Sequence, residues 1–261
     1  MSISITHNNF SEVVDHAQEQ ILGEGELVNN LSWQAKKDSE SKFSTWEILN
    51  FNFSCLVPSS IKELQLDIQP NLPWAEDHFQ ERVGGEPLNP GEQYKNWPYY
   101  KKDEFRTEGE QFTHTYMERF WAPAKPGIRY AWGNLRDVAV LLQRDPFTRQ
   151  AYLPVWFPED TGASHGGRVP CTLGYHFLLR DNMLHMWYDI RSCDLLRHFQ
   201  DDIYLACRLL IWMLAILAVS EDGSTSWAGV VPGWLTMNAH SLHIFEADKP
   251  TLKYRIEKGI L

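Results

Sequence analysis

The chain has 261 residues and carries 24 Lys and Arg against 34 Asp and Glu, which gives a net charge of −10. An acidic chain of this kind lacks the basic surface that binds a nucleic acid polymer, so we expect no such partner. Hydrophobic residues make up 43% of the chain and charged residues 22%, a balance that excludes extensive disorder and allows a sizeable core.

One domain over residues 1–261 is predicted, because no linker, internal repeat or low-complexity run divides the chain. Residues 1–30 contain no basic segment followed by an apolar stretch, so we expect no signal or transit peptide and a cytoplasmic protein. The cysteines lack the paired spacing of a metal site. In a reducing compartment we expect no metal and four free thiols, at Cys55, Cys171, Cys193 and Cys207.

The first half of the chain gives few regular signals. Residues 29–53 fit either a helix or a strand, so their assignment stays open. Residues 71–91 predict a short helix that begins near Pro73 and stops at Gly84-Gly85. Residues 91–106 are rich in Tyr, Trp, Lys and Pro, which favours an aromatic loop, and such loops often cover binding sites.

Two helices are predicted in the second half. The first spans residues 135–143, and Pro146 terminates it. The second is the apolar run 203–219, which contains Arg208 and is shorter than the ~20 residues of a membrane-spanning helix. We therefore expect a core helix and no membrane partner. Asp201 and Asp202 precede this run, and acidic residues suit the positive end of a helix.

Between these helices the sequence predicts a β-hairpin. Two runs, 172–180 and 183–190, are rich in strand-forming residues, and Asp181-Asn182 tolerates the left-handed conformations of a two-residue turn. With this turn, Cys171 lies opposite Ser192 and beside Arg191. A thiol, a hydroxyl and a guanidinium are therefore expected together at one end of the hairpin.

Cys171 is the candidate nucleophile. Nearby cations lower the pKa of a thiol, and Arg168 and Arg191 are predicted to lie close to it. The alternative interpretation is an inert buried cysteine, which is what we expect for the other three.

Four further residues have both a structural and a functional interpretation. Arg191 is either a solvated charge at a strand end or a phosphate ligand. Asp202 is either a helix cap or a binding group, and Glu76 is either a surface carboxylate or a catalytic group. His243 lies in the alternating strand 241–245 and is either a half-buried histidine or a ligand-binding one.

In their order and composition these segments resemble the thymidylate synthase family of pyrimidine C5 one-carbon transferases. Pro170-Cys171-Thr172 is similar to the family's Pro-Cys-His strand, and Arg191-Ser192-Cys193-Asp194 to its Arg-Ser-x-Asp run. Further matches are the turn 145–149, Trp156 and the strand 241–245. The resemblance covers residues 145–249, and before them it rests only on Glu76, Trp97 and Tyr116.

The resemblance implies an α+β fold of the thymidylate synthase type, with a twisted mixed sheet packed by helices and a homodimer formed through a sheet face. It also implies a reaction in which the Cys171 thiolate adds to C6 of a pyrimidine nucleoside monophosphate. C5 then attacks the methylene group of 5,10-methylenetetrahydrofolate. A pyrimidine nucleotide, folate and a second copy of the chain are therefore the expected partners.

Individual roles follow from the same resemblance. Cys171 and Asp202 are expected to be catalytic, together with Glu76, which would move protons through ordered water and for which Glu81 is the alternative. The expected substrate-binding residues are Arg191 and Ser192 at the 5′-phosphate, Arg149 at the phosphate of the partner subunit, His243 at the sugar, and also Tyr116 and Asp202. Asp194 and Trp97 would border the folate.

Asp202 indicates the base. It falls where family members that use deoxyuridylate have Asn, which reads N3–H and O4 of uracil. A carboxyl group accepts from N4 of cytosine and, when it shares a proton with N3, pairs with both atoms. Phage deoxycytidylate hydroxymethylases have Asp at this point, so we expect transfer of a hydroxymethyl group to a cytidine nucleotide, dCMP or CMP.

Other departures from the family leave alternatives open. Thr172, His176 and Phe245 replace a His, a Gln and a Tyr, and Phe245 cannot hydrogen bond to a sugar hydroxyl. No arginine precedes Arg82 to serve as the N-terminal phosphate ligand, so the substitutes would be Lys36, Lys37 or Lys42. The alternative functions are a thymidylate synthase or hydroxymethylase that acts on dUMP, and a nucleotide-binding homologue without catalysis.

Overall fold

The computed structural model of the chain describes residues 5–29, 44–96, 109–121, 133–161, 168–219 and 227–260. These residues form a single sheet of eight strands. The strands are β1 (Ile5–His7), β2 (Glu26–Val28), β3 (Thr45–Leu56), β4 (Tyr152–Pro154), β5 (Thr172–Arg180), β6 (Met183–Ile190), β7 (Cys193–Asp194) and β8 (Val231–Phe245).

The sheet is mixed. Six strands follow one another in the order β1, β3, β8, β6, β5, β4, while β2 pairs with β3 and β7 pairs with β8. The pairs β1–β3, β6–β8 and β7–β8 are parallel, and the remaining pairs are antiparallel. The central position of β8 brings the hairpin β5–β6 and the short strand β7 to the same part of the molecule.

The helices found in the described residues are α1 (Phe10–Glu24), α2 (Ile61–Ile68), α3 (Trp74–Arg82), α4 (Glu92–Lys95), α5 (Tyr116–Phe120), α6 (Leu135–Arg144), α7 (Phe199–Ala218) and α8 (Lys249–Lys258). Together with the mixed sheet, they confirm the predicted α+β class. The thymidylate synthase type of fold and the homodimer stay predictions. One buried apolar cluster includes residues from Phe10 to Leu252, which agrees with the predicted single domain without testing it.

The helices cover one face of the sheet. Phe10 of α1 and Phe199 of α7 pack against Phe53 of β3, with ring centroids 6.4 and 6.2 Å apart. Phe53 is one of a row of buried side chains that lie side by side across four strands, the others being Met237, Tyr188 and Tyr175. This face therefore forms the hydrophobic core.

The opposite face of the sheet carries a row of partly exposed side chains in register: Ser54, Thr236, Trp187, His176 and Tyr152. Strand alternation places this row on the side away from Phe53. We call it the open-face row.

Helix α7 is the predicted core helix. Its first residue is Phe199, so it begins before the apolar run 203–219, and residues 203–210 are all buried. Arg208 lies among them, and its charge is paired with Glu76 across 2.8 Å. Within the part of the chain that the structure describes, no helix has the length and apolar character needed to cross a bilayer.

The hairpin is confirmed, but the predicted position of Cys171 is wrong by one residue. Asp181 and Asn182 have φ values of 50° and 59°, as a two-residue turn with left-handed residues requires. The register then shifts between Thr172 and Gly174. As a result Cys171 lies opposite Arg191 rather than Ser192, and its carbonyl accepts the Arg191 N–H at 2.9 Å.

The cause of this shift lies outside the hairpin. The carbonyl of Leu173 accepts the backbone N–H groups of Val155 and Trp156 at 2.9 and 3.0 Å. Leu173 is the extra residue of a β-bulge, which leaves one residue of a strand unpaired with the partner strand.

The remaining predictions have mixed outcomes. The helix in residues 71–91 and the helix ended by Pro146 are confirmed as α3 and α6. Residues 45–53 of the open segment are strand, while residues 30–43, which include Lys36, Lys37 and Lys42, lie outside the described residues. The loop predicted for residues 91–106 is wrong in its first part, where the structure has helix α4. The Glu81 carboxylate accepts the N–H groups of Glu92 and Gln93 and so caps this helix.

Candidate active site

Cys171 lies immediately before β5 and is partly exposed, whereas the other three cysteines are buried; all four are free thiols, as predicted. Burial raises the pKa of the Cys171 thiol, and Arg191 and Arg168 act in the opposite direction. Asp202 and Asp194 raise this pKa further. Both predicted cations are therefore close enough to act on the thiol, but burial has the larger effect, so the resting thiol is protonated at neutral pH.

Arg191 is held in place by the segment that leads to Cys171. Its Nε donates to the carbonyl of Pro170 at 2.8 Å, and Nη2 donates to that of Val169 at 3.3 Å. The guanidinium also lies 5.5 Å from the ring centroid of Trp156. Among the described residues it has no carboxylate partner, so an anion such as a phosphate can still bind it.

Asp202 lies in the first turn of α7. Its Oδ2 accepts a hydrogen bond from the Cys193 thiol, with sulfur and oxygen 3.5 Å apart. Burial raises the pKa of Asp202 to about 7, and the positive charge of Arg82 opposes this rise. A carboxyl group with this pKa is present in both protonation states near neutral pH, and it can therefore either donate or accept a proton.

Helix capping does not describe the carboxyl group of Asp202. The N-cap residue of α7 is His198, which makes no side-chain cap. The neighbouring carboxylate of Asp201 accepts the backbone N–H of Asn71 at 2.8 Å. Cys193, which we expected to be inert, is the hydrogen-bond partner of Asp202, and only the folded arrangement of β7 and α7 reveals this contact.

A hydroxyl network adjoins Cys171. Thr172 Oγ1 lies 3.1 Å from the hydroxyl oxygens of both Tyr116 and Tyr188. The ring of Tyr175 stacks on Tyr188 with centroids 4.7 Å apart. Burial raises the pKa of Tyr116, of Tyr188 and of Tyr175, the last to about 12. These phenols are therefore neutral. Two of them, Tyr116 and Tyr188, are linked through Thr172, the residue that follows Cys171. Sequence reasoning proposed only Tyr116.

Arg82 ends α3 beside this network and was not predicted as a site residue. Its guanidinium carbon lies 4.0 Å from the ring centroid of Tyr116. Its Nε donates to His78 Nε2 at 2.9 Å, and the side chain is 6% exposed. Its charge lowers the pKa of Asp202 and of Tyr175, so Arg82 lies close enough to act on the predicted base-reading group.

The two candidate glutamates are engaged elsewhere. Glu76 accepts two hydrogen bonds from Arg208 at 2.8 Å each and one from Tyr204 at 2.5 Å. Arg208 lowers the pKa of Glu76 to about 2, which keeps it ionised. Burial raises the pKa of Glu81, although its carboxylate accepts N–H groups of α4. No described contact joins Glu76 to the groups around Cys171.

Asp194 and His243 lie on the paired strands β7 and β8. The Asp194 carboxylate accepts the backbone N–H groups of Leu196 and Arg197, both at 3.1 Å, and Nη1 of Arg197 at 2.9 Å. Burial lowers the pKa of His243, which keeps it neutral. Ser192, between Arg191 and β7, is partly exposed and makes no hydrogen bond through its hydroxyl to the described residues.

Arg149 lies apart from Cys171, on the side of the open-face row. Its side chain is exposed, and its carbonyl oxygen is 3.0 Å from Nε2 of His176, a member of that row. Trp97 falls outside the described residues.

A cleft of about 320 Å³ opens next to the first turn of α7, lined among others by Asn71, Arg197, His198, Asp201 and Arg255. Within the described ranges no three His, Cys, Asp or Glu side chains converge in a way that could hold a metal ion.

Comparison with known proteins finds a distant relative. No protein-family model matches the chain. The chain is similar to a curated protein named putative thymidylate synthase from Methanosarcina acetivorans, with 27% identity over 154 residues, which make up 58% of this chain and 61% of that protein. The chain thus spans about six tenths of the length of this relative. The similarity agrees with the resemblance of the sequence to the thymidylate synthase family.

Proposed function

We propose that the protein transfers a hydroxymethyl group from 5,10-methylenetetrahydrofolate to C5 of a cytidine nucleotide, dCMP or CMP, through a covalent bond between Cys171 and C6. The observation that carries this proposal is Asp202, a carboxyl group with a pKa of about 7 whose charge acts on the Cys171 thiol. A nucleophile and a proton donor of suitable pKa within one site are what addition to a pyrimidine ring requires.

Asp202 would read cytosine through its shared proton. The protonated carboxyl donates to N3 and its second oxygen accepts from the N4 amino group. N3 of cytosine is more basic than a uracil carbonyl oxygen, so it takes the proton more readily. Protonation of N3 draws electrons out of the ring and makes C6 electrophilic, which favours attack by sulfur.

Cys171 would form the S–C6 bond, and the electron pair of the C5–C6 double bond would make C5 nucleophilic. 5,10-Methylenetetrahydrofolate would supply the one-carbon unit that C5 attacks. Loss of the C5 proton would then expel tetrahydrofolate and leave an exocyclic methylene group on C5. Water would add to this methylene group while the S–C6 bond breaks, which gives the hydroxymethyl group, restores the C5–C6 double bond and frees the Cys171 thiol. No hydride is needed in this balance, so the folate is not oxidised.

Asp194 has a hydrogen-bond acceptor position left over that could bind the folate. A carboxylate has about four acceptor positions, and the described contacts use two on Oδ1 and one on Oδ2. Asp194 therefore retains a position on Oδ2 for an N–H donor of a pterin ring. The partner residue proposed from the family, Trp97, lies outside the described residues.

Arg191 and Ser192 would bind the 5′-phosphate, and His243 would bind the sugar as a neutral imidazole. Arg149 would complete the phosphate site of the other subunit in a homodimer. Its exposed side chain next to the open-face row supports this role, because two such faces in contact would bring Arg149 of one copy towards the other.

Of the two candidate glutamates, Glu81 suits proton transfer better than Glu76. A carboxylate whose pKa is about 2 stays ionised at every physiological pH and is a poor proton donor. The pKa of Glu81 is raised instead.

The test is release of tritium from C5. Purified protein is mixed with the folate and with CMP, dCMP or dUMP labelled at C5. We expect the fastest release from a cytosine nucleotide, its loss in Cys171→Ser, and its retention in Cys55→Ala, the control at a buried cysteine. Preference for dUMP would refute the assignment of the base, and absence of release from all three nucleotides would refute the reaction.

The second candidate function is methylation or hydroxymethylation of dUMP, which the name of the Methanosarcina relative favours. Formation of dihydrofolate, followed by its absorbance, separates methylation from hydroxymethylation. If dUMP is the substrate, Asp202→Asn changes the base preference little, whereas our proposal expects a shift from cytosine to uracil.

The third candidate function is nucleotide binding without catalysis. The raised pKa of Cys171 agrees with it, because a protonated thiol is a weak nucleophile. Nucleotide binding by the wild type without tritium release would establish it in place of our proposal.

A further inference from the structure

Arg82 is a buried cation without a counter-ion among the described residues. It is 6% exposed, and no Asp or Glu oxygen of the described residues lies within 4.0 Å of it. Its hydrogen-bond partner is Nε2 of His78 at 2.9 Å. Burial holds the pKa of His78 well below its usual range, so this partner is neutral.

Two other buried arginines have carboxylate partners. Arg119 donates to both oxygens of Asp160 at 2.7 and 2.9 Å, and Arg208 binds Glu76 through two hydrogen bonds. The contrast matters because a buried charge is destabilising unless a partner compensates for the loss of water. A buried arginine without a hydrogen-bonded carboxylate is a candidate for binding an electron-rich ligand.

The guanidinium of Arg82 lies beside the hydroxyl network that adjoins Cys171. It lies 4.0 Å from the ring centroid of Tyr116. The charges of Cys171, Arg82 and Asp202 all act on the pKa of Tyr116, which agrees with a position of Arg82 near both proposed site residues. Arg191, by contrast, is held by the carbonyls before Cys171.

The geometry points to Arg82 as a further substrate-binding residue, one that donates to the acceptor edge of the pyrimidine ring and stabilises the negative charge that develops there. This inference rests on the proposed function. When the sulfur of Cys171 bonds to C6, the displaced electron pair spreads from C5 towards N3 and the C2 carbonyl. Asp202 would give its proton to N3, and the guanidinium of Arg82 would donate hydrogen bonds to the electron-rich edge of the ring.

Arg82 also adjusts Asp202. Its positive charge lowers the pKa of Asp202, while burial, Asp201 and Asp194 raise it and the hydrogen bond from Cys193 lowers it. Removing the charge of Arg82 therefore raises the pKa of Asp202 above about 7. This shift in pH dependence reports that the charge of Arg82 lies near Asp202, whereas contact with the substrate is reported by the nucleotide affinity and by kcat/KM.

The experiment compares Arg82→Met, Arg82→Lys and, as matched control, Arg119→Met. Three quantities are measured: the melting temperature without ligand, the affinity for CMP and dCMP by calorimetry, and kcat/KM for tritium release across pH. For Arg82→Met we expect an unchanged or higher melting temperature and a loss in kcat/KM of about 100-fold, the size seen when one charge-stabilising donor is removed. Arg82→Lys should recover part of this loss.

The pH profile should also move. In Arg82→Met we expect the part of the pH–rate profile that is controlled by the ionisation of Asp202 to lie at higher pH than in the wild type. Arg119→Met should lower the melting temperature, because it leaves Asp160 buried without a cation.

Two results would overturn the inference. One is an Arg82→Met variant whose nucleotide affinity and kcat/KM stay within about threefold of the wild type. The other is a drop in melting temperature like that of Arg119→Met, which would mean a structural role. Failure of the proposed function looks different: a wild type that binds nucleotide through Arg82 but releases no tritium refutes the reaction and supports Arg82 as a ligand group.

Discussion

Replacing Asp202 by Asn should stabilise the protein, and by an amount that depends on pH. The pKa of Asp202 is about 7 in the folded protein and 3.8 in its ordinary setting. The folded protein therefore holds this proton more tightly than the unfolded chain. Between these two values the stability conferred by the protonated carboxyl is lost as the pH rises. At about 1.4 kcal/mol per tenfold change in proton affinity, the loss approaches about 4 kcal/mol above pH 7.

Asn keeps the shape of the side chain and an oxygen that accepts the Cys193 thiol, but it cannot ionise. The free energy of unfolding of Asp202→Asn should therefore match that of the wild type near pH 4 and exceed it by up to about 4 kcal/mol at pH 8. Urea denaturation at several pH values measures both proteins under identical conditions. Their difference isolates Asp202 from the other titrating groups.

Asp201→Asn is the matched control, because Asp201 lies in the same turn of α7. Its carboxylate accepts the Asn71 N–H, which favours the ionised form, so we expect a smaller gain. A difference between Asp202→Asn and the wild type that does not change with pH would refute the reasoning, and so would equal gains in the two variants. The same Asp202→Asn substitution should weaken turnover of cytosine nucleotides, which would place the carboxyl group among residues that exchange stability for function.

Three further predictions concern other contacts. Arg208→Met should lower the free energy of unfolding by about 2 kcal/mol at pH 7, which is less than for a fully buried pair because Glu76 is 26% exposed. Since the pKa of Glu76 is about 2, the difference between variant and wild type should vanish as the pH falls towards that value. A difference that persists at low pH in denaturation experiments would contradict the pairing. Thr172→Val should destabilise the protein more than Tyr116→Phe, which should lower the free energy of unfolding by about 1 kcal/mol. The reason is that Val at position 172 leaves two buried phenols without a hydrogen-bond partner. The reverse order of melting temperatures would exclude Thr172 as the centre of the network. Mixing inactive Arg149→Ala with inactive Cys171→Ser should restore about a quarter of the wild-type activity if each site takes Arg149 from the other subunit, because about half of the dimers are then mixed and each mixed dimer has one intact site of two. No recovery of activity after co-refolding would rule out the shared site.

Local sequence signals were sufficient for the elements that carry the site. Alternation and the Asp181-Asn182 pair predicted the hairpin, and the apolar run around Arg208 predicted α7, because these patterns depend on neighbouring residues. The bulge at Leu173 could not be predicted, since it depends on two N–H groups near β4. Helix α4 is capped by Glu81 from α3, and that too is a contact between distant segments.

The roles of the site residues stay predictions. Cys171, Asp202 and Arg191 were singled out from the sequence and from the family resemblance, and the structure places Asp202 and Arg191 close enough to act on the pKa of Cys171. Arg82 gave no signal, because a basic residue in the last turn of a helix is common for its interaction with the helix dipole. Whether burial or charge determines the pKa of Cys171 depends on the packing of every neighbouring element, which no local pattern contains.

The balance of charges bears on how Cys171 becomes reactive. Arg191 and Arg168 lower the pKa of the thiol, but burial keeps it above its ordinary value. A phosphate bound to Arg191 adds negative charge beside the thiol and opposes its ionisation further. A thiolate formed in advance is therefore disfavoured in the nucleotide complex. In the proposed reaction, attack on C6 would instead draw its driving force from the ring, through the proton that Asp202 would give to N3 and the negative charge that Arg82 would stabilise.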